Sequence, residues 1–363
     1  MTSKRNFGLD LLRASAIAAV FVGHEITLTG IPILSELGTG VDLFFVLSGF
    51  LIGRIYFRSS TQPEFTPVRF WRSRWWRTIP PYLVALALYL LVDRVLLQPP
   101  NPELPWYYCL FLQNYLGMTG FGPSWSLCVE EHFYLSLPIL AFLADRFIGR
   151  KSFFYLLPIM FFVPTLLRIT FLQLLGLSPH DWYFMTHFHC DGLIAGLWLA
   201  YLFVERPDVF AALRKPAIWI SPIIPIALGV MPLCSPKYAY IFSIYWYAVI
   251  AVGFSGWLLW AYDLHWWPSN APARLVCQAI QGLALCSYSV YLTHTTIDVL
   301  IRSWLIHWPR GIVKTSLVML VTLAVGVLFY FLFERPAILI RDRIEAYHRS
   351  KQRMIEPATS TAA

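Results

Sequence analysis

RASAIAAVFVGH, residues 13–24, lies inside the first long apolar run of the chain, roughly Phe7 to Leu28. An apolar stretch of about 20 residues is long enough to cross a bilayer as a helix, yet this one carries a guanidinium and an imidazole. Ionisable groups at membrane depth are costly and usually functional. Eleven positions separate Arg13 from His24. At about 100° per residue they return to one helix face within about 20°, about three turns and roughly 16 Å apart. Arg13 is expected near one end of the span, with His24 about half a bilayer further on. The plainer reading is a snorkelling arginine and a hydrogen-bonded packing histidine.

The composition agrees with a membrane setting. Of 363 residues, 58% are hydrophobic and 13% charged, against roughly 25% charge in soluble domains. That leaves too little polar surface to cover a soluble globule, so the expected fold class is an all-α, polytopic integral membrane protein. Apolar runs fall near 7–29, 38–57, 79–97, 124–144, 152–175, 187–204, 216–234, 239–262, 283–305 and 314–333, about ten spans, with a short interfacial piece at 104–118. Of the 28 lysines and arginines, 21 lie on the side of the N-terminus, six on the other side, and Arg13 within the membrane. The positive-inside rule then places both termini in the cytoplasm. The same distribution explains the net charge of +8 without nucleic acid. Residues 1–345 read as one transmembrane domain. Residues 346–363 read as a disordered cytoplasmic tail with no appended soluble domain. The first span reads as retained rather than as a signal peptide. The six cysteines have no metal-type spacing and read as small buried packing residues.

Further motifs carry polar groups. GTGVDLFFVLSGFLIGRIYF (38–57) places Asp42 at the outer end of the second span, with Ser48 and Gly49 as small surfaces for close helix approach. PVRFWRSRWWRTIPPY (67–82) reads as a cytoplasmic loop in which Arg69, Arg72, Arg74 and Arg77 alternate with Trp71, Trp75 and Trp76. Arginine forks bind phosphates, and tryptophan stacks a base or anchors at headgroups. A topology signal with anionic-lipid contact is the simpler reading. GPSWSLCVEEHFYLSLP (122–138) has Glu130, Glu131 and His132 in succession, about 100° apart on a helix. At least one must face the protein interior, and spacing alone does not say which, nor whether it serves acid–base chemistry or satisfies Arg13. THFHCDGLIAG (186–196) suggests a metal through His187, His189 and Asp191. On a helix these residues fan over different faces, so no metal is expected. SYSVYLTHTTID (287–298) puts His294 and Asp298 on one face. FLFERPAI (331–338) ends the last span at Pro336.

Taken in order, these pieces resemble the membrane-bound O-acyltransferases of bacterial polysaccharides known as acyltransferase family 3. The resemblance rests on Arg13 and His24, GVDLFFVLSGFLI (40–52), the arginine–IPPY stretch (74–82), WSLCVEEHFYLSLP (125–138), SYSVYLTH (287–294) and FERP (333–336). It implies transfer of an acyl group, usually acetyl, from cytoplasmic acyl-CoA to a hydroxyl of a carbohydrate or glycoside. The acceptor would be an envelope polysaccharide such as lipopolysaccharide, and the setting a bacterial inner membrane. It also implies that His24 is the essential histidine, Arg13 its partner, and Arg74 and Arg77 part of a donor motif. The chain departs from the family pattern at His189, where arginine is frequent, and at His132, where glutamine is usual. Both departures leave the acceptor open.

The residue reading and the resemblance combine into one expected site. Arg72, Arg74, Arg77 and Trp75 would hold acyl-CoA, and His24 would act as base or acyl carrier, aided by Arg13 and Glu130. Asp42, Ser48, Trp125, Tyr134, Asp191 and His294 would line the cavity or acceptor side. An imidazole, with an ordinary pKa near 6.5, suits proton removal from the acceptor hydroxyl. The alternative is a transporter or flippase using the buried Arg, His and Glu as a substrate or proton path.

Overall fold

A computed structural model describes residues 5–26, 36–96, 106–117, 120–176, 183–230, 236–265, 268–305, 307–308 and 312–355. Among them there is no strand. The helices are α1 (Phe7–Ile26), α2 (Gly40–Ser59), α3 (Pro67–Leu96), α4 (Ser124–Ile148), α5 (Phe153–Leu175), α6 (Asp191–Glu205), α7 (Pro207–Arg214), α8 (Ile223–Val230), α9 (Pro236–Ala261), α10 (Ala271–Trp304), α11 (Ile312–Phe329) and α12 (Arg335–Ile355). Short helical turns at Trp106–Leu110 and Gln113–Leu116 occupy the expected interfacial piece.

Eight described helices are long and apolar enough to cross a membrane, nine if the pair Pro207–Arg214 and Ala217–Val230, bent by 56°, is one span. The expected span at 187–204 is α6, only 15 residues long. Its depth is fixed by its neighbour. His189, just before α6, hydrogen-bonds Asp42 in the first turn of α2 at 2.8 Å. At the far end Arg150 joins Glu205, the last residue of α6, at 2.7 Å to Ser60 at 3.0 Å and the Phe57 carbonyl at 2.6 Å. Running parallel to α2, α6 thus covers the same depth. Likewise α10 runs alongside α1 in the same direction, with Arg13 and Ser287 lining one cavity and His24 meeting His294 further along. A count of nine that leaves α6 out would make those two helices antiparallel.

The α2–α6 seam is close because it is built from glycine. A Cβ on Gly49 would lie 2.1 Å from the Leu193 carbonyl oxygen, and one on Gly196 would lie 2.1 Å from the Val46 carbonyl oxygen. Backbones approach this closely only where small residues face each other. Around the seam Phe50, Ala200, Ile250 and Leu258 are fully buried, so the core joins α2, α6 and α9.

Three local expectations are corrected. The Arg/Trp stretch is not a loop. Helix α3 begins at Pro67, with Thr66 capping the Arg69 N–H at 3.2 Å, and continues through Pro80 and Pro81. Threonine as the cap and proline at the first helical position make a good helix start. Pro336 does not end the last span. A π-turn, Tyr330–Glu334, bonds the Arg335 N–H back to the Tyr330 carbonyl, and helix resumes through Ile355. This wider turn accommodates the donor that proline lacks. Residues 346–355 are therefore helical, while 356–363 lie outside the described residues, as does Cys234. Among the remaining cysteines, Cys128, Cys277 and Cys286 are buried as expected, but Cys109 is exposed.

Asp191 is occupied by a structural partner. Arg168 of α5 and Asp191 are both fully buried and pair through two hydrogen bonds of 2.9 Å. The guanidinium also donates to Thr165, to the Ile244 carbonyl of α9 and to the Phe188 carbonyl. Every face of this charge is thereby satisfied, and α5, α6 and α9 are tied at one point.

Two stability predictions follow from this packing. Gly196→Ala should cost about 1–3 kcal/mol by overpacking and lower the thermal midpoint in detergent by several degrees. Gly282→Ala, with nothing within 4 Å of the added carbon, should leave the midpoint unchanged or raise it. Asp191→Ala strands a buried guanidinium and should cost about 3–5 kcal/mol. It should be seen as loss of monodisperse protein in size-exclusion chromatography, whereas Glu130→Gln should still elute as folded protein.

Candidate functional site

A cavity of about 370 Å³ opens between α1, α2, α3, α4, α10 and α12, within the size range of ligand pockets. Four arginines reach it: Arg13 from α1, Arg74 and Arg77 from α3, and Arg341 from α12. The helical form of the Arg/Trp stretch explains the selection. Arg74 and Arg77, three apart, share one face, and that face lines the cavity. Arg72 and Trp75 do not line it. Trp75 instead stacks on Trp71 at 6.2 Å, and the Trp71 indole donates to the Tyr134 carbonyl at 3.1 Å.

Glu130 and Glu334 lie near enough to act on Arg13 and Arg77 through space, but among the described residues no carboxylate is in direct contact with these charges. Among the described residues, no carboxylate forms an ion pair with Arg13, Arg74 or Arg77, and the buried Arg74 Nε has no hydrogen-bond partner. Arg341 pairs with its exposed neighbour Asp342, at 2.7 Å. The carboxylate on the cavity wall, Glu130, is held by other groups. Ser48 donates to its Oε1 at 2.5 Å and the Tyr134 hydroxyl to its Oε2 at 3.0 Å. The ambiguity among the three consecutive ionisable residues of α4 is thus resolved by position. Glu130 faces the cavity, Glu131 accepts from Thr78 at 2.8 Å, and His132 meets the Thr186 hydroxyl at 2.8 Å on the other side.

A polar ridge on α10 leads away from the arginines. Ser287, Tyr288 and Tyr291 line the cavity. The Tyr288 hydroxyl donates to the Thr78 carbonyl at 2.8 Å, and Tyr291 shares a 2.6 Å hydrogen bond with Ser126. One turn beyond Tyr291 is His294, outside the cavity lining. Its Nδ1 faces the Tyr291 carbonyl at 2.7 Å, and its ring lies edge-on to His24, centroids 5.0 Å apart. His294 is 3% exposed whereas His24 is exposed. Arg13 and His24 of α1 therefore mark the two ends of one polar seam with α10.

The remaining expected residues form a separate cluster. Asp42 accepts from His189, whose other nitrogen faces the Tyr183 carbonyl at 2.8 Å, and Trp125 stacks on that imidazole at 5.2 Å. His187 turns instead to Tyr115, with 3.1 Å between ring nitrogen and hydroxyl. Partial burial pushes the Tyr115 hydroxyl pKa up, so it keeps its proton. His187, His189 and Asp191 thus have three different partners. Among the described residues no group of three or more metal-ligating side chains converges.

Sequence reasoning missed Thr78, Ser126, Tyr288, Tyr291 and Arg341. Tyr288 and Tyr291 were visible as a pair on one helix face. Arg341 was hidden among basic residues that also serve as a topology signal.

Comparison with known proteins bears on this arrangement. A family described as an acyltransferase domain, acyltransferase family 3, matches residues 6–331. The O-acetyltransferase OatA of Staphylococcus aureus strain NCTC 8325 is 25% identical over 368 aligned residues, covering 91% of this chain and 56% of the relative. The putative O-acetyltransferase SACOL0978 of S. aureus strain COL is 30% identical over 151 residues, covering 37% of this chain and 24% of the relative. The chain thus spans about half the length of OatA. No solved structure matches. With a match that runs from the start of α1 to the π-turn, and so takes in Arg13, Arg74, Arg77 and the His24–His294 pair, this chain belongs to acyltransferase family 3.

Proposed function

We propose that the protein transfers an acyl group, acetyl in the simplest case, from acyl-CoA to a hydroxyl of a carbohydrate or glycoside, and that its natural acceptor is an envelope polysaccharide of a bacterium bounded by the membrane it spans. The observation that carries this reading is the set of unpaired guanidiniums, Arg13, Arg74 and Arg77, around one cavity. Unpaired buried charge is expensive. A polyanion with several phosphate oxygens supplies what the protein leaves out, and arginine is suited to bidentate phosphate binding. Coenzyme A brings a diphosphate and a slender pantetheine arm that fits a seam between two helices.

In this reading Arg74 and Arg77 take the diphosphate at the basic end, which is the cytoplasmic end by the charge count. The arm follows the α10 ridge past Tyr288 and Tyr291, and the thioester comes to rest beside His24. Glu130, whose oxygens are occupied by Ser48 and Tyr134, keeps the cavity from being uniformly positive and holds α2 to α4. Transfer breaks the thioester C–S bond, forms the ester C–O bond and moves a proton by way of an imidazole to the departing thiolate. The exposure of His24 suits an acceptor arriving from the opposite side. The relatives' names, O-acetyltransferase in each case, agree in reaction type.

The test uses protein in membranes with [14C]acetyl-CoA and a glycan acceptor fraction. The double variant Arg74→Ala/Arg77→Ala should raise the donor KM at least tenfold, since each charge-assisted hydrogen bond contributes about 1.5–3 kcal/mol. His24→Ala should remove transfer while leaving coenzyme A binding intact. Unchanged donor saturation in the double variant would remove the donor role from the cavity.

A further inference from the structure

We propose that His294 is the base that takes the acceptor's hydroxyl proton, and that His24 carries the acyl group between donor and acceptor. This rests on the acyl-transfer reading above and divides its chemistry between two histidines.

The first argument concerns which nitrogen of His294 is free. Its Nδ1 lies 2.7 Å from the Tyr291 carbonyl oxygen, an acceptor without a proton, so Nδ1 carries the hydrogen and donates. In a neutral imidazole the lone pair is then on Nε2. That atom is buried and has no hydrogen-bond partner among the described residues. Leaving a buried acceptor unsatisfied costs about 1–3 kcal/mol, and such an atom in a native protein calls for an explanation. A hydroxyl from outside the protein supplies one.

The second argument is position. His294 stands one turn beyond Tyr291 on the ridge that leaves the arginine cavity, in ring contact with His24. Its nearest carboxylate on the same helix, Asp298, is paired with Arg302 at 2.5 Å. With that carboxylate engaged elsewhere, His294 is fixed by a backbone carbonyl, with one nitrogen left for chemistry. Exposed His24 is the better placed of the two to present an acyl group to a large acceptor, with buried His294 beneath it.

The steps balance. An unprotonated nitrogen of His24 attacks the thioester carbonyl. The N–C bond forms, the C–S bond breaks, and the departing thiolate takes the proton displaced from the His24 ring. The acceptor oxygen then attacks the acyl carbon. The C–O bond forms, the C–N bond breaks with its electron pair returning to His24, and the hydroxyl proton goes to His294 Nε2. His294 passes that proton to the adjacent His24 ring, and both are neutral again. The first half-reaction needs only His24; the second needs both.

The experiment separates the halves with His294→Asn. The asparagine amide keeps an N–H near the Nδ1 position for the Tyr291 carbonyl and deletes the Nε2 lone pair. Purified protein is given acetyl-CoA and radiolabelled coenzyme A without acceptor, and exchange of label into acetyl-CoA is followed; transfer of [14C]acetyl to glycan is measured separately. His294→Asn should retain exchange within a few-fold of the parent while transfer falls at least about a hundredfold, the loss typical of removing a general base. His24→Ala should lose both. His294→Gln serves as a second variant should the asparagine form fail to elute as folded protein. Wild-type transfer at His294→Asn, or exchange lost together with transfer in folded His294 variants, would overturn the proposal. So would a parent protein that transfers acetyl without any exchange. A parent that binds no coenzyme A and transfers nothing defeats the acyl-transfer reading itself, a distinct result.

Discussion

Charge held without a direct ion-pair partner at a half-buried site is the constraint on which the rest of this structure turns. Elsewhere the protein balances its buried charges with care. Fully buried Arg168 has Asp191, half-buried Arg150 has Glu205, and Asp42 has a hydrogen bond from His189. At the cavity the practice is reversed. Arg13, Arg74 and Arg77 converge without a paired carboxylate, and the Arg74 Nε makes no hydrogen bond. Mutual repulsion and desolvation at that point must be offset by packing elsewhere. Such concentrated cost is typical of binding sites.

The offset comes from close-packed parallel helix pairs. Gly49 and Gly196 let α2 and α6 touch backbone to backbone, and the Arg168–Asp191 pair locks α5 and α9 onto the same core. On the other side α1 lies against α10 in the same direction. That direction carries the seam from the cavity at Arg13 to the contact between His24 and His294. The site is thus a property of helix direction as much as of residue type.

The reading from sequence succeeded where helix period alone decides geometry. The Arg13–His24 spacing placed both residues on one seam of α1, and the apolar runs located the eight described helices long enough to cross a membrane. It fell short where tertiary contacts choose among equivalent positions. Glu130, Glu131 and His132 differ only by rotation about α4, and it took Ser48, Thr78 and Thr186 to assign them. The Arg/Trp stretch read as a loop because charge is dense there. Thr66 and Pro67 nevertheless start a helix that runs through both prolines, so that Arg74 and Arg77 reach the cavity and Arg72 does not. Asp191, Asp42 and Trp125, expected along the cavity or acceptor side, do not line the cavity, because partners from distant parts of the chain hold them elsewhere. Arg341, some 260 positions from Arg77, is brought to the same cavity by the packing of α12 along α3.

The most direct test of the central claim is an experimental structure of the protein with coenzyme A bound. The account predicts the diphosphate within hydrogen-bond distance of Arg74 and Arg77, the pantetheine arm along Tyr288 and Tyr291 on the α1–α10 seam, and the sulfur beside the His24–His294 pair. Coenzyme A bound elsewhere, with the arginine cavity left empty and the thiol remote from both histidines, would contradict it.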